Sequence, residues 1–310
     1  MKVFRDLDNL PKFKNAVITV GTFDGVHKGH QKILAKLNSK AQELDGESIL
    51  ITFHPHPRFV INPDDKSLKL INTLGEKIKI LEKYNIDNLV IVPFNKDFSN
   101  LSADEYITSF LVNKFSPKCI AIGYDHHFGK GRKGDINLLM KYQKEFNYEI
   151  LKIEKEELAE ITISSTKIRL ALNEGNVAVA KKLMHHAYII EGFVTKGNQM
   201  GRTIGFPTAN IFIEKDYKLI PKNGSYAVFV LVNNKEYGGM LNIGVKPTFE
   251  EHKKTIEVNI FDFDRDIYGE KICIKFISFL REEKKFDSIS DLKKQLTIDK
   301  LNVLKIIKHR

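Results

Sequence analysis

The 310-residue chain has only two cysteines, Cys119 and Cys273. They sit far apart in apolar, strand-like runs, so two buried free thiols are expected rather than a disulfide framework. A reducing, cytoplasmic setting is the default that follows. No apolar run approaches the roughly 20 residues that span a bilayer. The opening "MKVFRDLDNL" also lacks the apolar centre of a secretory leader. There is no arginine-rich block and no long basic arm. The net charge of +10 comes from lysines mixed with acids, as in "EKEELAE" and "REEKK". That pattern reads as a solvated surface with some attraction for small anionic substrates, with neither nucleic acid nor membrane as partner. No Pro- or Ser-rich linker, repeat or low-complexity tract divides the chain, although its length suits one large domain or two ordinary ones.

What is present changes texture near residue 185. Before it, apolar runs alternate with stretches of helical spacing. Strands are expected at 16–20, 48–53, 88–94, 119–123 and 148–153. Helices are expected at 30–44, 76–84, 103–115 behind the cap candidate Ser102, 135–146, and 164–186 with a break at Gly175. Five short apolar strands alternating with helices imply an α/β unit with a parallel sheet covered on both faces. Such sheets bind ligands beyond the carboxyl ends of their strands. After residue 185, six strand-like runs begin at 188, 208, 224, 237, 255 and 270, separated by Gly, Asn and Pro turns. With no helix between them they imply a small antiparallel barrel, and an amphipathic helix from 288 closes the chain. Domains of 1–185 and 186–310 are therefore expected.

At the end of the first strand stands "GTFDGVHKGH", Gly21–His30. Glycines at 21, 25 and 29 allow close backbone approach to a ligand. A helix beginning near His30 points its free N–H groups and dipole at that ligand. Two imidazoles beside it can donate to phosphate oxygens. The residues alone leave a second option open, a conformational turn with two surface histidines. The string resembles the (H/T)-x-G-H signature of the nucleotidylyltransferase superfamily, whose members are Rossmann-like. The second signature of that superfamily is matched by "ISSTKIR", Ile163–Arg169. The resemblance implies ATP contacts from Gly21, Phe23, Asp24, Gly25, His27, His30, Ser164, Ser165, Thr166 and Arg169. His27 and His30 would assist attack on the α-phosphorus.

Two further segments resemble the bacterial bifunctional riboflavin kinase/FAD synthetase family over nearly the whole chain. "TFHPHPRFV" matches its F-x-P-x-P segment, and "AIGYDHHFGKGRKGD" matches its G-x-D-x-x-F-G loop. By that resemblance Phe53, Pro55, Pro57, Asp125, Phe128 and Gly129 lie by nucleotide and flavin. His126 and His127 stand where one aromatic or basic residue is expected.

"GFVTKGNQMGRTIGFPTANI" (192–211) approaches a P-loop. It is one residue short, has Arg in place of Lys, and lies between strands. It matches instead the family's riboflavin kinase pattern, which implies ATP and flavin contacts from Gly192, Gly197, Gly201, Arg202, Gly205 and Pro207. Thr208 and Asn210 are oxygen donors spaced by two along a strand and suit a Mg²⁺ that keeps waters and bridges phosphates. Glu257, in an apolar strand, is either a solvent-facing glutamate or the group that deprotonates the ribityl hydroxyl. The resemblance implies the latter. The expected reactions are phosphorylation of riboflavin to FMN and adenylylation of FMN to FAD, each with ATP.

Other motifs read as decoys. "GKGRKG" (129–134) does not directly follow its strand and reads as a mobile basic loop. "DFDRDI" (262–267) has Ile267 where a calcium loop needs Gly. "HPH" (54–56) and the pairs at 126–127 and 185–186 lack thiolates or H-E-x-x-H and read as structural or surface histidines.

Overall fold

The computed structural model describes residues 1–123, 126–153, 164–197, 200–247 and 252–308. Contacts gather into two units, Met1–Leu68 with Lys77–Ser164, and Lys69–Glu76 with Ser165–Arg310.

The first unit is a six-stranded parallel sheet in the order β1-β4-β3-β2-β5-β6. Its strands are β1 (Lys2–Phe4), β2 (Val17–Val20), β3 (Ser48–His54), β4 (Asn88–Pro93), β5 (Cys119–Gly123) and β6 (Glu149–Ile153). The five expected strands are present and β1 is additional. Its three residues are too few to show a period, and pairing with Asn88–Val90 fixes it at the edge. The central strands are rich in β-branched residues and buried except toward their carboxyl ends, as a sheet covered on both faces requires. The neighbours of β2 are β3 on one side and β5 on the other. Strand order reverses there, so a crevice opens at the carboxyl end of β2, where the segment Gly21–His30 begins. Helix α1 (Lys28–Glu43) buries Leu34, Leu37 and Ala41. The expected helix at 103–115 is continuous in chain but π-helical over Tyr106–Val112. Ser102 begins it with a capping box, accepting from the Glu105 N–H while the Glu105 carboxylate accepts from the Ser102 N–H.

The second unit is a closed barrel in the order β10-β11-β8-β7-β12-β9. The strands are β7 (Ile189–Thr195), β8 (Ala209–Phe212), β9 (Gly224–Val232), β10 (Lys235–Pro247), β11 (His252–Ile260) and β12 (Lys271–Arg281). The terminal helix Ile289–Lys308 buries Val303 against Ala227, Met240, Phe261 and Ile277. The change of texture near 185 marks the start of the barrel strands, but contacts divide the chain earlier. Helices Ser165–Asn173 and Val177–Met184, separated at Gly175 (φ +80°), belong with the barrel. There the Lys222 N–H donates to Leu172 O, and a Cβ on Gly175 would lie 3.2 Å from Phe279. Segment 69–76 joins the same unit through a buried pair. Lys218 Nζ donates to Glu76 Oε2 at 2.6 Å, with both side chains at 0% exposure, and also to Ile71 O and Ile189 O.

Both cysteines are free thiols. Cys119 is buried, and burial pushes its thiol up to about 11. Cys273 is only half-buried, contrary to the expectation for it. An apolar run in a barrel strand alternates between the two faces, so it does not bury every member.

Candidate active sites

The first candidate site is the turn between β2 and α1. The Gly21 N–H donates to Ile51 O and leads into a backbone held at positive φ, with Phe23 at +48°, Gly25 at +86° and Val26 at +39°. A β-branched residue in that region is an outlier, and each strained residue costs on the order of 1–3 kcal/mol. The hydrogen bonds that hold the turn include Val26 N–H to Phe23 O, Gln31 Nε2 to Val26 O, and Gln31 N–H to His27 O. Gly21 leaves room for Phe23, since a Cβ there would lie 2.9 Å from the ring.

His27 is the N-cap of α1, its Nδ1 accepting from the His30 N–H at 3.4 Å. Its proton therefore sits on Nε2. The rings of His27 and His30 stack with centroids 3.7 Å apart, and Phe23 packs on His30 at 4.5 Å. Burial holds His27 down at about 4, against a smaller upward pull from Asp24. His30 lies well below the usual histidine range for the same reason, reinforced by His27 and Lys77. Both imidazoles are neutral near pH 7 and act as N–H donors. His30 Nδ1 is buried and has no partner among the described residues. An orphaned ring nitrogen beside a helix N-terminus of 16 residues suits an anionic ligand.

Phe53 and Phe128 fall in one aromatic cluster of this unit. Phe53 lies 5.7 Å from Phe98, Phe98 lies 6.0 Å from Tyr106, and Tyr106 stacks on Phe128 at 5.0 Å. Pro55 is exposed, and Pro57 opens the short helix Pro57–Ile61 capped by His56. Asp125 and Ile163 lie outside the described residues. The loop expected to be mobile is pinned at its base. Phe128 and Gly134 exchange backbone hydrogen bonds, the Lys130 N–H donates to Leu101 O, and Gly129 is at φ +72° against Ala103. Ser164, the last residue of the first unit, is exposed; in the second unit Thr166 is exposed, Ser165 starts the helix Ser165–Asn173, and Arg169 Nε donates to Lys69 O at 2.8 Å. Sequence reasoning missed Lys77, whose Nζ donates to Thr22 O at 2.7 Å.

The second candidate site lies in the barrel. Register places Asn242 opposite Glu257 and Glu257 opposite Asn210 on β10, β11 and β8. Directly opposed residues share a face, so these three polar side chains form a row. Thr208, just before β8, donates its hydroxyl to Glu257 Oε2 at 3.5 Å. A cavity of about 280 Å³ is lined by Thr208, Asn242, Glu257 and Asn259, with apolar walls that include Ile204, Phe206, Met240 and Leu296. A second, of about 470 Å³, is lined by Arg202, Pro207, Thr208, Phe263, Arg265 and Tyr268. Thr208 borders both. The segment set aside as a calcium decoy thus forms a cavity wall. Asn242 and Asn259 were not anticipated; the signals that find them are the register of Asn242 opposite Glu257 and the place of Asn259 two residues beyond Glu257 on the same face of β11.

The glycines here have different reasons. A Cβ on Gly192 would lie 2.5 Å from Ile211 and 2.7 Å from Phe212 O, so Gly192 serves the packing of β7 on β8. One on Gly201 would meet Phe206 O at 2.2 Å, and Gly205 turns at φ +84° in open space. One on Gly197 would lie 2.0 Å from Asn210 Nδ2. Gly197→Ala should therefore displace the Asn210 amide and lower any reaction that uses this row of side chains about 10- to 100-fold. The thermal midpoint should change little. Steady-state rates with a melting curve check this.

A family model for FAD synthetase matches residues 10–167, and one for riboflavin kinase matches 184–307. A bifunctional riboflavin kinase/FMN adenylyltransferase of Buchnera aphidicola subsp. Acyrthosiphon pisum (strain APS) is 38% identical over 98% of each chain. The protein of that name from Bacillus subtilis (strain 168) is 37% identical over 94% of this chain and 92% of its own. The Escherichia coli (strain K12) counterpart is 35% identical over 97% and 96%. A crystal structure from Streptococcus pneumoniae, described as a macrolide-efflux protein, is also similar. It aligns with a TM-score of 0.87 and 32% identity over 97% of this chain and 98% of that one. Among the described residues here, no helix is long and apolar enough to cross a membrane. The chain belongs to the bifunctional riboflavin kinase/FMN adenylyltransferase family, using ATP first to phosphorylate riboflavin to FMN and then to adenylylate FMN to FAD.

Proposed function

We propose that the two reactions run at separate sets of residues, adenylyl transfer at Gly21–His30 and phosphoryl transfer beside Thr208 and Glu257. The observation that carries the kinase assignment is that Thr208 borders both cavities while its hydroxyl rests on Glu257. The first cavity has an apolar wall of Ile204, Phe206, Met240 and Leu296 for a flavin ring, besides charged residues such as Arg281 and Asp299, and the second offers Arg202 and Arg265, next to Asp264 and Asp266, to a nucleotide. Glu257 accepts the proton of the ribityl 5′-hydroxyl as its oxygen bonds to the γ-phosphorus. The bond to the bridging oxygen breaks and its electron pair leaves with ADP.

The donors present fit a magnesium ion. The Thr208 hydroxyl and the Asn210 amide oxygen are hard ligands beside a carboxylate, and Gly197 and Gly201 keep the adjoining space clear of Cβ atoms. When bound there, Mg²⁺ neutralises charge on the transferring phosphates. Among the described residues no group of three or more His, Cys, Asp or Glu is placed to hold a metal. A site with few protein ligands, completed by phosphate oxygens and water, is the form this metal commonly takes.

In adenylyl transfer an FMN phosphate oxygen attacks the α-phosphorus of ATP, and the bond to pyrophosphate breaks with its electron pair leaving on that product. His27 Nε2–H and the free N–H groups of α1 donate to phosphate oxygens, and no covalent enzyme intermediate is needed. The mixed surface charge and the free thiols support a cytoplasmic enzyme of small anionic substrates, with neither nucleic acid nor membrane as partner.

Histidine NMR tests the first assignment. Adding ATP should shift the His27 and His30 signals and raise the His27 value above the free protein's value of about 4, because polyphosphate favours the imidazolium. Unmoved signals at saturating ATP contradict it.

A further inference from the structure

Lys77 is 7% exposed. Its Nζ donates to Thr22 O at 2.7 Å and to Thr52 Oγ1 at 3.3 Å, and Thr52 Oγ1 itself donates to Thr22 O at 3.3 Å. A buried ammonium is expensive, and at a purely structural position an apolar side chain of similar size serves as well or better. What this one reaches is the strained turn that ends at His27 and His30.

We propose that Lys77 is a positioning residue for adenylyl transfer, which fixes the Thr22 carbonyl within the Gly21–His30 turn and sets a positive charge near His30. This rests on the assignment of that turn to adenylyl transfer. The peptide between Thr22 and Phe23 is planar and trans, so anchoring its C=O on Lys77 turns the Phe23 N–H the opposite way. The residues that follow hold φ of +48°, +86° and +39° at Phe23, Gly25 and Val26, conformations that persist only where the surroundings over-determine them. The charged and titratable groups that face Lys77 are Asp24, which favours its charged form, and His30, which its charge helps keep neutral. An ammonium in this water-poor setting adds a fixed positive potential where phosphate charge develops, at no cost in reorganisation.

The test uses the full-length chain with Lys77→Met and Lys77→Arg, and His30→Ala alongside. FAD formation from FMN and ATP is measured, with FMN formation from riboflavin as the internal control. Lys77→Met should lower kcat for adenylyl transfer about 100-fold with little change in KM for ATP, and Lys77→Arg should recover to within about tenfold of wild type. Burial lowers Lys77 to about 8, so wild-type kcat/KM should fall on the alkaline side from that pH. The Lys77→Arg profile should lack that limb. Riboflavin phosphorylation should be unchanged throughout. Lys77→Met at the wild-type rate, loss of both activities together, failure of Lys77→Arg to recover, or an alkaline limb persisting in Lys77→Arg each overturns the proposal. If His30→Ala makes FAD normally, the site assignment falls and the Lys77 role with it. If His30→Ala is inactive while Lys77→Met is not, only the Lys77 role falls.

Discussion

Glu257→Gln should stop most riboflavin phosphorylation while leaving the adenylylation of supplied FMN intact. Glutamine keeps the shape of the side chain on β11 and its place opposite Asn210 and Asn242. It removes only the charge and the capacity to accept a proton. General-base catalysis contributes about 10²–10⁴-fold, and that is the expected loss in kcat. KM for riboflavin should move little, because the apolar walls of the cavity proposed for the flavin are untouched. Steady-state kinetics with riboflavin, and separately with FMN, check both halves. An unchanged kcat with riboflavin would reduce Glu257 to a solvent-facing strand glutamate.

His30→Ala should have the reciprocal effect. The substitution removes the orphaned Nδ1, the stacking partner of His27 at 3.7 Å and that of Phe23 at 4.5 Å. Loss of one positioned donor to a developing oxyanion costs about 10²–10³-fold. Loss of the stack also frees the His27 ring that caps α1. FAD formation should therefore fall by at least that factor, and FMN should accumulate from riboflavin at the wild-type rate. His30→Ala also leaves space in a packed turn, so the melting profile should show a modest loss confined to the transition of the first unit. A variant that still makes FAD at the wild-type rate would show that the orphaned nitrogen serves no phosphate.

The parallel sheet was legible because β2, β3, β4 and β5 are continuous apolar runs bounded by turn residues. The barrel was legible from short runs at regular spacing. The edge strand β1 was not, because three residues carry no period. Nor was the π-helical Tyr106–Val112, whose apolar spacing resembles that of an α-helix. At the sites, glycines, histidines and the Thr208–Asn210 pair stand within short strings, so local sequence marks them. Lys77 does not. In "EKIKILEK" it reads as one solvated charge among several, and only its bonds to Thr22 and Thr52, 55 and 25 residues away, reveal it. Asn242 and Asn259 look like the outward positions of an alternating strand until register places one of them against Glu257. Arg281, whose guanidinium holds Asp299 at the cavity wall, is hidden in the same way by an 18-residue separation.

The central claim is that one chain holds two independent sites, and mixing the two variants tests it most directly. Each variant alone is given riboflavin, ATP and Mg²⁺, as is an equimolar mixture of both, and the flavins are separated by chromatography. His30→Ala alone should stop at FMN, Glu257→Gln alone should leave riboflavin unconverted, and the mixture should produce FAD. A mixture that makes no FAD, a His30→Ala protein that makes no FMN, or a Glu257→Gln protein that also fails to adenylylate supplied FMN, would contradict two independent sites.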